Sequence, residues 1–299
     1  MAMSTVAPRR RRLTSRSVWT FLFFLPMLLV FGLFAWWPIA QSLGLSLQQT
    51  NFIVTEWVGL DNFTRVLADP LLPVATANTV QFTLLSVVIG FPVPLLLAIL
   101  IAELRRTRGF ASALAYLPVI VPPVVAVLLW KALYNPSADG VFNTILGAVG
   151  IGPFAWLNDG SLVIPAIVIQ ATWASFGTAT IIYLAALMSV QSELYEAAEI
   201  DGAGIRKRIW HVTLPQLRGV ILTMLLLQLI GVFQIFTEPY IMTGGGPENR
   251  SVTILMLIYR YAFISGDYGR ATALSVLLAV VLALFAVLFQ LVTRRWSRT

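Results

Sequence analysis

Residues 17–54 contain no charged side chain. A helix over about 18–43 is long enough to cross the roughly 30 Å apolar layer of a bilayer, which takes about 20 residues. Further apolar runs follow at about 78–102, 111–130, 162–190, 219–241 and 271–293, separated by short polar stretches. In lipid every backbone donor and acceptor must be satisfied within its own segment or within a closed barrel. Six runs of this length therefore predict an all-α polytopic membrane protein. The composition agrees, with 58% hydrophobic and 11% charged residues and a mean hydropathy of +0.84, well beyond a soluble domain.

The domain plan is a basic tail over 1–16, with Arg9, Arg10, Arg11, Arg12 and Arg16, and a transmembrane domain over 17–299. The run after the tail is too long for a signal peptide and lacks a small-residue cleavage site, so it reads as a retained first span. Trp36, Trp37 and Pro38 suit an interfacial belt. Residues 51–73 read as an external loop. Gly90, Pro92 and Pro94 predict a bend in the second span, and Pro118, Pro122 and Pro123 an irregular third span, because proline removes a backbone donor. Residues 131–160 read as an outer loop, and 251–259, too short to cross, as a helix lying at the outer surface.

The lysines and arginines orient these spans. With both ends inside, fifteen fall on the inner side and five outside, as the positive-inside rule requires. A pI near 10.1 thus follows from topology and does not call for nucleic acid. No cysteine and a single histidine, His211, leave no thiolate or imidazole cluster for a metal and no Ser/His or Cys/His pair for catalysis. No GxxxxGK[ST] loop is present to cradle a nucleotide. The chain reads as a non-enzyme without its own cofactor.

The longest mixed-charge segment, residues 191–217, lies between the fourth and fifth runs. Ser192 is placed to cap a short helix from about Glu193, with Glu196 and Glu199 near its positive end. Gly202 and Gly204 break that helix, residues 205–212 form a second, and Pro215 stops it before the fifth span. Small residues at Ala197, Ala198 and Ala203 would allow close approach of a partner. A solvated loop whose charges only hold it inside accounts equally well for these features.

The order Glu196, Ala197, Ala198, Glu199, Asp201, Gly202, Ala203, then Trp210, Leu214 and Pro215 resembles the EAA loop of ABC-importer permeases. Residues 243–247 (TGGGP), Tyr259, Phe263, Tyr268 and Gly269 resemble the MalF-type half of carbohydrate permeases. Gln191 stands where that family often has proline, and Trp210 where phenylalanine is usual. The resemblance implies the type I importer (MetI-like) fold and a cytoplasmic coupling loop seated on an ATPase. In that reading Glu196 pairs with a basic residue of the ATPase, Asp201 and Gly202 set the turn, and the alanines pack in the cleft. It also implies partners: a second permease of the MalG type, two ATP-binding subunits holding ATP and magnesium, and an external solute-binding protein. The location implied is the plasma or inner membrane of a prokaryote.

A sugar needs hydrogen-bonding groups and flat faces, and polar side chains inside spans tend to face the bundle interior. The spans flanking the loop offer Gln170, Trp173, Ser175, Phe176, Thr178, Gln228, Phe233, Gln234 and Phe236 as a substrate pathway. No lysine or arginine lies centrally in a span, which favours a neutral sugar over glycerol-3-phosphate or a glycerophosphodiester, the alternative cargo of the same importer class. A self-contained secondary transporter is the rival of another class. It would need mid-depth ionisable groups or broken-helix ion sites, of which only the prolines of the second and third spans give a hint.

Overall fold

The computed structural model describes residues 15–50, 53–104 and 106–297. The basic tail up to residue 14, Arg105 and Arg298 lie outside the described residues. The first span consists of α1 (Ser15–Phe31) and α2 (Trp37–Leu45), joined by a π-helical turn. The stretch expected as an outer loop is ordered instead into a hairpin, β1 (Gln48–Thr50) with β2 (Thr55–Trp57), and a short helix, α3 (Asp61–Leu67). Asn62 holds this unit in place by donating to the carbonyls of Ser46 and Gln48 at 3.0 and 2.8 Å.

The second span begins earlier than hydropathy alone placed it. α4 (Leu71–Leu85) and α5 (Pro92–Glu103) run through a π-turn over Ser86–Gly90 as one 33-residue helix, Leu71–Glu103. Pro92 is accommodated by that wider turn without ending the helix. The amide of Phe91 reaches back five residues to Ser86 O at 2.8 Å, which relieves the clash between the proline ring and the carbonyl four residues before it. The same arrangement precedes Pro38, where Trp37 N bonds Gly32 O.

The third span is irregular, as its prolines predict. α6 (Arg108–Ile120) and α7 (Pro123–Leu133) meet at 91°. Pro118 is accommodated inside α6, and the break falls at Val121 and Pro122, where both residues are extended. After α8 (Val141–Gly147) comes the fourth span, α9 (Val163–Met188). It is the central helix: α5 and α6 both lie along it. Gly177 permits that contact, since a Cβ there would lie 2.4 Å from Ala115 O and 3.0 Å from Tyr116 Cα.

Beyond the loop, α12 (Leu214–Phe233) ends the fifth span, and α13 (Thr237–Thr243) follows a break. α14 (Ile254–Tyr259) does not lie free at the outer surface. Ile254, Met256 and Leu257 are buried, and Ile254 and Leu257 share a core with Val66, Ala75 and Leu274. The last span, α15 (Tyr268–Ser297), completes the bundle. Among the described residues five helices are long and apolar enough to cross a membrane, six when the α6–α7 elbow is one span. A second core at the loop end joins Ala98, Tyr183, Leu187 and Leu217, and a third joins Phe82, Val127, Ile167 and Met242.

Candidate functional site: a paired-helix loop and the crossing above it

The loop between the fourth and fifth spans folds as two short helices at the end of the bundle. α10 (Ser192–Ile200) starts one residue earlier than expected. Ser192 is its first residue, the preceding position is Gln191 in extended conformation, and neither caps the helix with a side chain. α10 closes with Gly202 at φ 72°, while Ala203 N bonds Ala198 O at 2.8 Å and Gly202 N bonds Glu199 O at 3.0 Å. This paired return satisfies the last carbonyls of a helix and requires a left-handed residue after it. Glycine supplies that conformation without Cβ strain, which is the physical content of an Asp201–Gly202 pair at this position.

The second helix departs further from expectation. α11 (Ile205–Arg208) does not stop at Pro215. It passes through a π-turn over Ile209–Thr213 into α12, giving one continuous helix from Ile205 to Phe233, 29 residues long. Leu214 N bonds Ile209 O, the same wider turn that accommodates Pro92.

Among the residues singled out here, Glu196, Ala197, Glu199, Asp201, Gly202, Trp210 and Pro215 are exposed, and Ala198, Ala203 and Leu214 are half-buried. Ala198 and Ala203 meet each other across the turn through their backbones. Two exposed apolar residues escaped the sequence reading. Ile200 is 87% exposed and Ile205 57%, and Trp210 on the same loop is 63% exposed. The signal for them was present: apolar residues inside a charged stretch outside the spans. Behind the loop is a cleft of about 460 Å³, lined by Glu103, Arg108, Glu196, Glu199 and Arg208 among others.

The proposed pathway residues do not all share one face. Gln170 is fully buried, and neither end of its amide has a hydrogen-bond partner. Trp173 lies against Trp130, centroids 5.5 Å apart, beside an aromatic cluster with Tyr134 and Phe142. Phe176 packs on the core at the loop end. Ser175 and Thr178 are exposed on another face of α9, and Ser175 Oγ donates to Ala171 O at 2.8 Å. Phe233 lies 6.3 Å from Phe285, and Phe236 stacks on Tyr240 at 4.9 Å. Gln234 donates only to Ile230 O of its own helix.

Gln228 is placed differently. Its Nε2 donates to Ser86 O at 2.9 Å, inside the π-turn of the second span. At the same place a Cβ on Gly90 would lie 2.9 Å from Thr172 Oγ1 and 3.3 Å from Gln228 Nε2. Three spans thus cross at one polar point made by Gly90, Thr172 and Gln228. Spacing within any one span could not reveal it, since the three come from different helices.

A bundle of this layout, with an elbowed third span and a paired-helix loop before the fifth, is that of an ABC-importer permease. The chain belongs to the family of binding-protein-dependent transport system inner membrane components, whose family model matches residues 90–298. It is 34% identical over 276 residues to the trehalose/maltose transport system permease protein MalF of Thermococcus litoralis, covering 92% of this chain and 93% of that protein. It is also 34% identical over 271 residues to the probable ABC transporter permease protein YurN of Bacillus subtilis, with 88% and 92% covered. The fold matches the crystal structure of a bacterial ABC transporter that imports the acidic polysaccharide alginate, with TM-score 0.82, 28% identity, and 94% and 96% of the two chains covered.

Proposed function

We propose that the loop over 191–217 seats on an ATP-binding subunit at the cytoplasmic face, and that the bundle moves a mono- or oligosaccharide handed over by an external binding protein. The observation that carries the loop assignment is the exposure of Ile200, Ile205 and Trp210 beside Glu196 and Asp201, at the end of the bundle. Large apolar side chains exposed within a charged loop outside the spans suit burial against a protein partner. The orientation, both termini inside, follows the lysine and arginine count. The sugar reading draws support from the trehalose/maltose and alginate systems named for similar proteins, and from spans without a central cation to hold a phosphate.

The complete assembly in this reading is one copy of this chain, a second permease, two ATPase subunits with their ATP and magnesium, and a solute-binding protein. Gentle purification of the tagged chain from its native membrane, with mass spectrometry of what accompanies it, tests it. A second permease and an ATPase are the expected companions. A homo-oligomer without ATPase, under conditions that keep other membrane complexes intact, would favour the self-contained carrier. Uptake by the intact complex limited to glycerol phosphate or its diesters would overturn the sugar assignment alone.

A further inference from the structure

The two short helices of the loop are tied together by more than their turn. Arg208, at the end of α11, pairs through Nη1 with Glu199 Oε1 in the last turn of α10. Tyr195 of α10 also hydrogen-bonds Thr213 Oγ1 at 3.2 Å. The guanidinium side chain of Arg208 is only 19% exposed, whereas Glu199 is 63% exposed. Arg208 is thus held by the chain along the cleft behind the loop, and Glu199 comes to it.

This matters because of what Arg208 is attached to. Its helix is the beginning of the continuous Ile205–Phe233 rod, and near the far end of that rod Gln228 bonds the second span. α10, in contrast, is joined to the rod by residues 201–204, which include Gly202 and Gly204. Glycine gives a backbone its greatest conformational freedom. Without the Arg208–Glu199 pair only this turn and the Tyr195–Thr213 bond would link α10 to the rod, and displacement of α10 would be taken up largely in the turn.

Resting on the loop reading above, we propose that Arg208 is a positioning residue for coupling. By clasping Glu199 it locks α10 to the fifth span, so that a push received on α10 moves the rod instead of bending the turn. Glu199 is then occupied within the chain, while Glu196 and Asp201 stay exposed to face the ATPase. Glu103 and Arg108 from the neighbouring spans and Glu196 from α10 line the same cleft and are the charged groups that would compete for this pair.

The test uses the whole complex in proteoliposomes with its ATPase and binding protein, measuring transport per ATP hydrolysed. Arg208→Ala should lower that ratio about fivefold, a usual size for coupling between sites. Arg208→Lys, which keeps the charge and loses the planar fork, should recover part of it. The swap Glu199→Arg with Arg208→Glu should bring it to within about twofold of the unmodified complex, since it restores the attraction with the order reversed. An unchanged ratio in Arg208→Ala, or a swap as poor as that variant, would overturn the proposal. Should Arg208→Ala lose its ATPase altogether, recovery of the complex by the swap supports the clasp and failure to recover it refutes it. Failure of the underlying loop reading shows separately, because the unmodified chain would then purify without an ATPase.

Discussion

The hydroxyl of Tyr261 donates to Asp69 Oδ2 at 2.5 Å, while Arg270 pairs with the same carboxylate and lies over the tyrosine ring, 4.1 Å from its centroid. Together with the Arg65–Asp267 pair at 2.5 Å, this cluster ties α3 and the start of α4 to the beginning of the last span. It caps the end of the bundle opposite the paired-helix loop.

Asp69 should therefore matter to stability in a pH-dependent way. Burial pushes its carboxyl up, but the Tyr261 hydroxyl, the Leu71 amide and the Arg270 guanidinium outweigh that and hold it below the ordinary value of 3.8. A carboxyl held lower in the folded chain adds stability that is present above the unfolded pKa and lost as pH falls through the native one. Stability in detergent should show no Asp69 contribution to its slope between about pH 5 and 8, with a loss beginning below about pH 4. Asp69→Asn should lower stability by about 2 kcal/mol at neutral pH and remove that part of the acid limb. Thermal unfolding of both forms across pH checks it, and superimposable profiles would refute it.

Gly177→Ala should loosen the contact between α6 and α9. The added methyl meets the backbone of Ala115 and Tyr116, which has no rotamer to yield. The cost should be about 1–3 kcal/mol, the usual price of overpacking, visible as a lower unfolding midpoint. A midpoint equal to that of the unmodified chain would show that the two helices separate more easily than this packing allows.

Gly202 should discriminate between replacements of similar size. A left-handed conformation costs a β-branched residue roughly 1–2 kcal/mol, whereas asparagine visits it routinely. Gly202→Val should weaken recovery of the ATPase with the chain, and Gly202→Asn should largely retain it. Equal recovery would mean that the turn does not set the docking geometry.

Glu196→Lys reverses the charge of an exposed carboxylate without touching the fold. The ATPase should be lost or uncoupled while the chain still inserts normally, as followed by membrane fractionation and ATP-driven uptake. Full transport by this variant would remove Glu196 from the interface.

Gln170 separates packing from passage. A buried amide with neither end paired costs about 1–3 kcal/mol, so Gln170→Leu should raise the unfolding midpoint. If Gln170 contacts the cargo, uptake should fall in the same variant. Higher stability with unchanged uptake would take this residue out of the pathway.

Membrane residence, the number of apolar segments and the place of the paired-helix loop were all determined by the sequence, because hydropathy, length and a glycine after a helix are properties of a few consecutive residues. Even the irregular third span was legible, since Pro122 and Pro123 cannot supply the donors a straight helix needs there. Local chemistry misjudged Pro215: a π-turn, which depends on the carbonyl five residues back, let the helix continue through it. What only the tertiary structure decided are the meetings between distant segments. Gln228 reaches Ser86 across 142 positions and Arg270 reaches Asp69 across 201. Such pairs depend on how α9, α12 and α15 rotate about their axes, and in a chain apolar on nearly every face the hydrophobic pattern does not choose that rotation. Close contacts at Gly90 and Gly177 and a handful of polar side chains choose it instead.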